Sequence, residues 1–209
     1  MFKGAAACSL TPEQTEGPYY IDLDKIRSDI REDRQGTPLR LAVRVMDADG
    51  CTPVKDAVFE VWHCDAGGLY SGFEQASQAG AGRRGGGPAS AAPVTGEAAG
   101  TDQTGYLRGA QVTNADGIAV ITTVYPGWYQ GRTVHIHAKV QLNNRESLTT
   151  QLYFDDKLSD EVYAKAPYGL RQGPRTLNGD DNIYRRQTTI TASKEGDGYL
   201  GLITMGISA

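Results

Sequence analysis

The chain has 209 residues, a formal net charge of -4, and only three histidines and three cysteines. That length suits one well-buried core, and an all-β domain of this size can be a single unit. No Lys/Arg-rich block stands out and no apolar run nears the roughly 18 residues of a membrane span, so neither a nucleic-acid partner nor a membrane partner is expected.

Residues 1–36 read as an irregular N-terminal arm, because "TPEQTEGPYY" (Thr11–Tyr20) carries two prolines and a Gly-Pro step. The opening "MFKGAAACSL" has one lysine and no apolar stretch, so it is not an intact signal peptide. From Leu39 the pattern turns β-like. Leu39, Leu41, Val43 and Val45 alternate with Arg40 and Arg44, the period of a half-buried strand. "DADG" (Asp47–Gly50) has turn chemistry, and "AVFEVWH" (Ala57–His63) is the next strand. Residues 74–104 are rich in Gly, Ala, Ser and Pro, which cannot build a core, and are expected to form a long insert loop.

Strand patterns resume at Tyr106–Val112, Ile118–Val124, Arg132–Val140 and Thr149–Phe154, with "TNADG" (Thr113–Gly117) as a hairpin turn between the first two. "SDEVYAKA" (Ser159–Ala166) predicts a short helix capped by Ser159. "QTTITAS" and "GYLGLITMGI" close the chain as strands. About eight short strands separated by turns predict a mainly β fold: an antiparallel β-sandwich with long loops, at most one or two short helices, and residues 1–209 as a single domain.

Cys8, Cys51 and Cys64 match no zinc-knuckle spacing, and their odd number allows at most one intrachain disulfide. Cys51 and Cys64 flank a strand that would hold them apart, so Cys8 is the expected partner of one of them; three buried thiols are the alternative.

The chemistry concentrates in "PGWYQGRTVHIHAKV" (Pro126–Val140). Residues i and i+2 of a strand share a face, so His135 and His137 project together, while Val134, Ile136, Ala138 and Val140 form an apolar opposite face. A strand is a firm platform for a metal site. Tyr129 follows a Pro-Gly turn just before this strand, and Tyr70 ends "WHCDAGGLY" in a glycine-containing loop. Two imidazoles with phenolates favour a hard, oxidised metal, whose charge would depress a phenol from its ordinary value of about 10. The alternatives are histidines on a solvated face and tyrosines with satisfied hydroxyls.

His63 is expected to make a structural hydrogen bond, and Trp62 and Trp128 to line core or pocket. Arg83 and Arg84 read as solvated, and Arg171 and Arg175 as candidates to meet an acidic substrate tail. Two rival functions stay open on residues alone. One is a zinc hydrolase built on the histidines and Asp65, although no HExxH helix is present. The other is a β-sandwich module that binds small molecules or carbohydrate without catalysis.

In order along the chain, "TPEQTEGPYY", "VFEVWHCDAGGLYSGF", "TNADG" before a strand, "YPGWYQGRTVHIH" and "TTQLYF" resemble the intradiol ring-cleavage dioxygenases. These are non-haem iron(III) enzymes that open catechols between the two hydroxyl-bearing carbons. The motifs span roughly residues 11 to 154 and are most similar to the extracellular, single-chain protocatechuate- and catechol-type branch. The resemblance implies Fe(III) held by Tyr70, Tyr129, His135 and His137, with Tyr129 released when substrate binds. It implies Arg132 as the active-site arginine, Gln151 as a polar residue beside the substrate, and Tyr19 or Tyr20 at the pocket border. The implied partners are a small aromatic diol and O2, and the implied product is a muconate-type diacid. A departing Tyr129 phenolate can take a catechol proton, and the permanently cationic Arg132 can stabilise charge developing on the ring. A secreted or extracytoplasmic location is expected from the same resemblance, with the cytoplasm as the alternative and the export signal absent from this sequence. A monomer is expected because no long dimerising helix is evident.

Overall fold

Alternating apolar residues build two four-stranded sheets that face one another. The computed structural model describes residues 2, 9–23, 25–77, 105–170 and 172–209. Most of the expected insert, 78–104, lies outside the described residues, as do Cys8, Arg83, Arg84 and Arg171. The strands are β1 (Pro38–Asp47), β2 (Val58–Trp62), β3 (Arg108–Val112), β4 (Ile118–Val124), β5 (His135–Leu142), β6 (Arg145–Tyr153), β7 (Thr191–Glu195) and β8 (Gly198–Ile207).

One sheet has the order β4-β1-β8-β7 and the other β3-β2-β5-β6. The β1–β8 pairing is parallel and the others are antiparallel. Leu39, Leu41, Val43 and Val45 of β1 meet Phe59, Val61, Ile136, Ala138, Val140 and Leu152 of the facing sheet in one buried core. Burying each large aliphatic side chain contributes about 1.5–3 kcal/mol, which holds the two sheets face to face. The expected β-sandwich is therefore observed.

Local details differ from the sequence expectation. "TNADG" does make a turn: Asn114 Oδ1 accepts from the Asp116 and Ile118 N–H groups, each at 2.9 Å, and Gly117 adopts φ 71°. It is not a hairpin, because β3 and β4 belong to different sheets and the turn crosses between them. Turn chemistry specifies a reversal but not which neighbour each flank will pair with. A true hairpin joins β5 to β6 through Asn143 and Asn144, at φ 53° and 59°. Such a two-residue turn requires positive φ and suits asparagine.

The short helix spans Asp156–Tyr163 rather than starting at Ser159. Its N-cap is Asp155, whose carboxylate accepts the Lys157 N–H at 2.9 Å. Ser159 is instead inside the helix and buried, bonded to the Tyr125 hydroxyl at 2.8 Å. The start of "QTTITAS" forms a 3-10 turn at Arg186–Thr188, and the strand begins at Thr191. Cys51 is disulfide-bonded, which overturns the alternative of three thiols. Cys64 keeps a buried thiol that donates to the Gly127 carbonyl at 3.4 Å.

Candidate metal centre

Three segments converge at one end of the β3-β2-β5-β6 sheet. The chain leaves β2 through a tight turn in which Asp65 Oδ1 accepts the Gly67 and Leu69 N–H groups at 2.8 and 3.0 Å. This turn delivers Tyr70, which is completely buried. The Pro126-Gly127 segment lies directly on the same turn, with the Gly127 N–H donating to the Asp65 carbonyl at 3.1 Å. A Cβ at position 127 would sit 2.3 Å from that carbonyl oxygen, so glycine is needed for the two loops to touch. Tyr129 is thereby brought beside Tyr70. The third segment is β5, which begins with His135 and carries His137 on the same face.

The four side chains meet tip to tip. The Tyr70 and Tyr129 hydroxyls are 3.4 Å apart, Tyr129 Oη is 3.0 Å from His135 Nε2, and His135 Nε2 is 3.2 Å from His137 Nε2. Donor atoms about 2.1 Å from one ion, at angles near 90–110°, would be separated by about 3.0–3.4 Å. The spacing thus suits a single metal ion. His135 Nδ1 lies 2.6 Å from the Thr133 carbonyl, which can only accept, so the ring proton sits on Nδ1 and Nε2 presents its lone pair to the centre. His137 Nδ1 is buried without a hydrogen-bond partner.

Burial sets the protonation states. It lowers His135 to about 3, with the Arg132 charge adding to the effect, and drives His137 far down with help from His135 and Arg132. Both imidazoles are thereby held in the neutral form. Burial also raises the Tyr70 phenol, reinforced by Tyr129, and raises Tyr129, with Arg132 opposing. Ionising these two phenols therefore calls for a strong cation between them.

Arg132 sits next to this ring of donors. Its Nε donates to Asp181 Oδ2 at 2.9 Å and its Nη2 to Gln151 Oε1 at 2.5 Å. Burial works against the guanidinium charge, but Tyr129 and Asp181 outweigh it and hold Arg132 above its ordinary value. Gln151 is completely buried, and its Nε2 donates to the Thr15 carbonyl at 2.8 Å. Asp181 also accepts the Thr133 N–H at 2.9 Å and so ties the loop before β5 to the Arg132 side chain. Sequence reasoning missed Asp181. It lies 49 residues from Arg132 in a loop whose "GDDN" composition shows only a turn.

A family model described as Dioxygenase matches residues 15–179. The structure of an intradiol ring-cleavage dioxygenase from Tetranychus urticae is 32% identical, with a TM-score of 0.83, covering 96% of this chain and 94% of that one. The chain belongs to the intradiol ring-cleavage dioxygenase family. The dioxygenase domain of a dioxygenase and carbohydrate-binding protein fusion from Streptomyces sp. SirexAA-E is 26% identical over 95% of this chain and 97% of that one, with a TM-score of 0.67. Chlorocatechol 1,2-dioxygenase of Cupriavidus pinatubonensis is 30% identical over 171 residues, which cover 70% of this chain and 56% of that protein. The chain spans about half the length of the curated relatives it matches.

In this member of the family the histidine face is not solvated, as one alternative had it: His135 is 2% and His137 is 1% exposed. The N-terminal arm covers it. Gln14 donates its N–H to the Thr149 carbonyl at 2.8 Å, Glu16 pairs with Lys139 at 2.7 Å, and Gly17 lies on His137. At Gly17 φ is 79°, and a Cβ would come within 2.9 Å of His137 Cε1. The two candidate tyrosines of the arm diverge. Tyr19 packs on Tyr70 with ring centroids 4.6 Å apart, whereas the Tyr20 hydroxyl turns away to Glu60 at 3.2 Å and its ring lies on Trp62 at 4.9 Å. Trp62 in turn stacks on His137, at 5.0 Å and 7°.

Other expectations resolve clearly. His63 is structural, with Nδ1 at 2.8 Å from the Cys64 carbonyl and Nε2 at 2.8 Å from Thr123 Oγ1. Arg175 is not open to a substrate tail; it is tied to Asp156 at 2.5 Å and Asp160 at 2.8 Å. Among the described residues no three His, Cys, Asp or Glu side chains gather as a zinc hydrolase would need, and Asp65 is occupied by its own turn.

Proposed function

We propose that this chain is a non-haem Fe(III) dioxygenase that cleaves catechol-type rings between their hydroxyl-bearing carbons with O2, giving muconate-type diacids. The observation that carries the reading is the run of separations of 3.4, 3.0 and 3.2 Å linking Tyr70, Tyr129, His135 and His137. These four residues would hold the metal, and their mixed phenol and imidazole donors suit a hard ferric ion. Bound there, a ferric ion supplies the Lewis acidity that draws a catecholate into chelation and activates its ring toward O2.

The protein's own groups supply the rest. Tyr129 is only half-buried, which supports it as the ligand that swings away and accepts a substrate proton; fully buried Tyr70 stays. Arg132 keeps its charge at any working pH and stabilises negative charge developing on the ring. Gln151 and Asp181 orient Arg132 through its Nη2 and Nε, so Gln151 acts on the substrate through the arginine. Tyr19 borders the pocket from the arm, and its contact with Tyr70 favours it over Tyr20. The disulfide at Cys51 supports an oxidising, extracytoplasmic location.

The test is to load the purified protein with ferric iron and measure metal stoichiometry, visible absorbance and O2 uptake across a panel of catechols. The expected result is about one iron per chain, a broad phenolate-to-iron band, and O2 uptake matched to diacid formation. A protein that refuses iron, or is colourless with zinc bound, ends the proposal. Arg132→Ala should keep the colour and slow turnover on the order of 10²–10³-fold, by analogy with the loss of an oxyanion donor. An unchanged kcat in that variant removes Arg132 from the chemistry.

A further inference from the structure

A buried arginine outside the centre described above grips the chain next to one of its four residues. Arg108 opens β3 and is paired in register with Trp62, which is paired with His137, which is paired with Gln151. The four therefore form a row across the sheet on the face that carries the histidines. Arg108 is 3% exposed. Its Nε donates to Ser71 Oγ at 2.8 Å and its Nη2 to the Ser71 carbonyl at 2.8 Å. Ser71 Oγ passes the contact on to the Tyr106 carbonyl at 2.8 Å. Ser71 directly follows Tyr70, so this two-pronged hold grips the backbone that carries one phenol of the centre.

The grip is chemically lopsided. Arg108 Nη1 is buried without a hydrogen-bond partner, and no carboxylate among the described residues lies within ion-pair distance of the guanidinium. Burial works against the guanidinium charge, Glu60 and Glu74 offset part of that cost without touching it, and a phenolate forming at Tyr70 would offset more. Among the described residues no arginine grips the chain beside Tyr129 in this way. Tyr129 is half-buried, and is followed by exposed Gln130 and by Gly131 at φ 90°.

Resting on the ferric reading above, we infer that Arg108 is the positioning residue of Tyr70. It clamps the Tyr70–Ser71 segment and lends its charge to the neighbouring phenolate. Tyr70 is thereby the fixed oxygen donor and Tyr129 the displaceable one. The asymmetry between two chemically identical ligands then arises outside the donor set rather than within it.

Three substitutions test this: Arg108→Gln removes the charge, Arg108→Lys keeps the charge but loses the two-pronged hold, and Ser71→Ala removes one acceptor. Two readouts apply. One is Ga(III) binding to the metal-free protein, a ferric stand-in without redox chemistry; the other is the phenolate-to-iron band of the ferric form. Arg108→Gln should bind Ga(III) about 10–100-fold more weakly, the usual penalty for losing a group that orients a metal ligand. Its band should shift and weaken. Arg108→Lys should recover part of both changes, and Ser71→Ala should show the same band shift to a smaller degree. If Arg108→Gln only melts at a lower temperature, with wild-type Ga(III) affinity and an unmoved band, the inference is overturned. Should that variant fail to fold, Ser71→Ala decides, and wild-type values in it overturn the inference equally. A wild-type protein that takes up neither iron nor Ga(III) fails at the earlier step and overturns the ferric reading itself.

Discussion

The outer face of β1 and the outer face of β5 carry basic residues at alternate positions, yet they meet opposite surroundings. On β1, Arg40 stays at the surface, where it pairs with Glu195, and both side chains remain over a third exposed. On β5, the Lys139 side chain is 7% exposed, held between Glu16 at 2.7 Å and Glu146 at 3.3 Å with its ammonium 3.8 Å from the Tyr20 ring. Two residues away, His137 is packed between Trp62 and Gly17. The difference is the N-terminal arm, which crosses the face of the β5 sheet but bonds the β1 sheet only at β4 and near the end of β8. A polar strand face becomes a buried polar site only when another segment covers it. Such a site tolerates change poorly, because each buried group left unpartnered keeps its full desolvation cost.

That contrast can be broken at several points. The largest effect is expected at the covered face: His137→Ala should abolish iron binding, colour and turnover together, read by metal analysis and visible spectrum. A coloured, active variant would mean that the face does not hold the metal. The opposite side of the same strand should respond in stability instead. Ile136 is completely buried in the core, so Ile136→Ala should cost about 2–5 kcal/mol in urea unfolding while the folded protein still takes up iron. Equal losses of iron from both variants would erase the distinction between the faces.

A smaller effect should come from the arm. Gly17→Ala combines a positive φ with a contact on His137, and is expected to cost about 1 kcal/mol or more and to move the visible band. An unmoved band would show that the arm covers the histidine without positioning it. The smallest effect belongs to the outer face of β1. Arg40→Ala removes an exposed ion pair and should leave both the urea midpoint and turnover where they are, because screening and side-chain entropy cancel most of such a contact.

Much of this molecule follows from short-range pattern. The alternation of Leu39, Leu41, Val43 and Val45 marks a half-buried strand, and the i, i+2 rule places His135 and His137 on one face without any tertiary information. The nearness of Tyr129 to the start of β5 is legible too, since only a short loop separates them. Tyr70 was tied to the same centre by family resemblance, and its contact with Tyr129 required the Gly127 loop to lie on the Asp65 turn.

Several partners had no local signal at all. Asp181 and Arg108 act on Arg132 and Ser71 from distant parts of the chain, and neither position differs in type from an ordinary loop acid or strand arginine. For the same reason "TNADG" specifies a turn but not the sheet that each of its flanking strands joins.

The amino-acid order alone determined strand periodicity, turn positions, and which side chains share a face, because covalent neighbours and backbone sterics set those within a few residues. Tertiary structure alone decided which strands pair, that the arm buries the histidine face, and that Arg108 and Asp181 stand beside the centre. Those outcomes depend on which distant surfaces bury the most apolar area with the fewest unpaired polar groups, a condition that belongs to the whole chain at once.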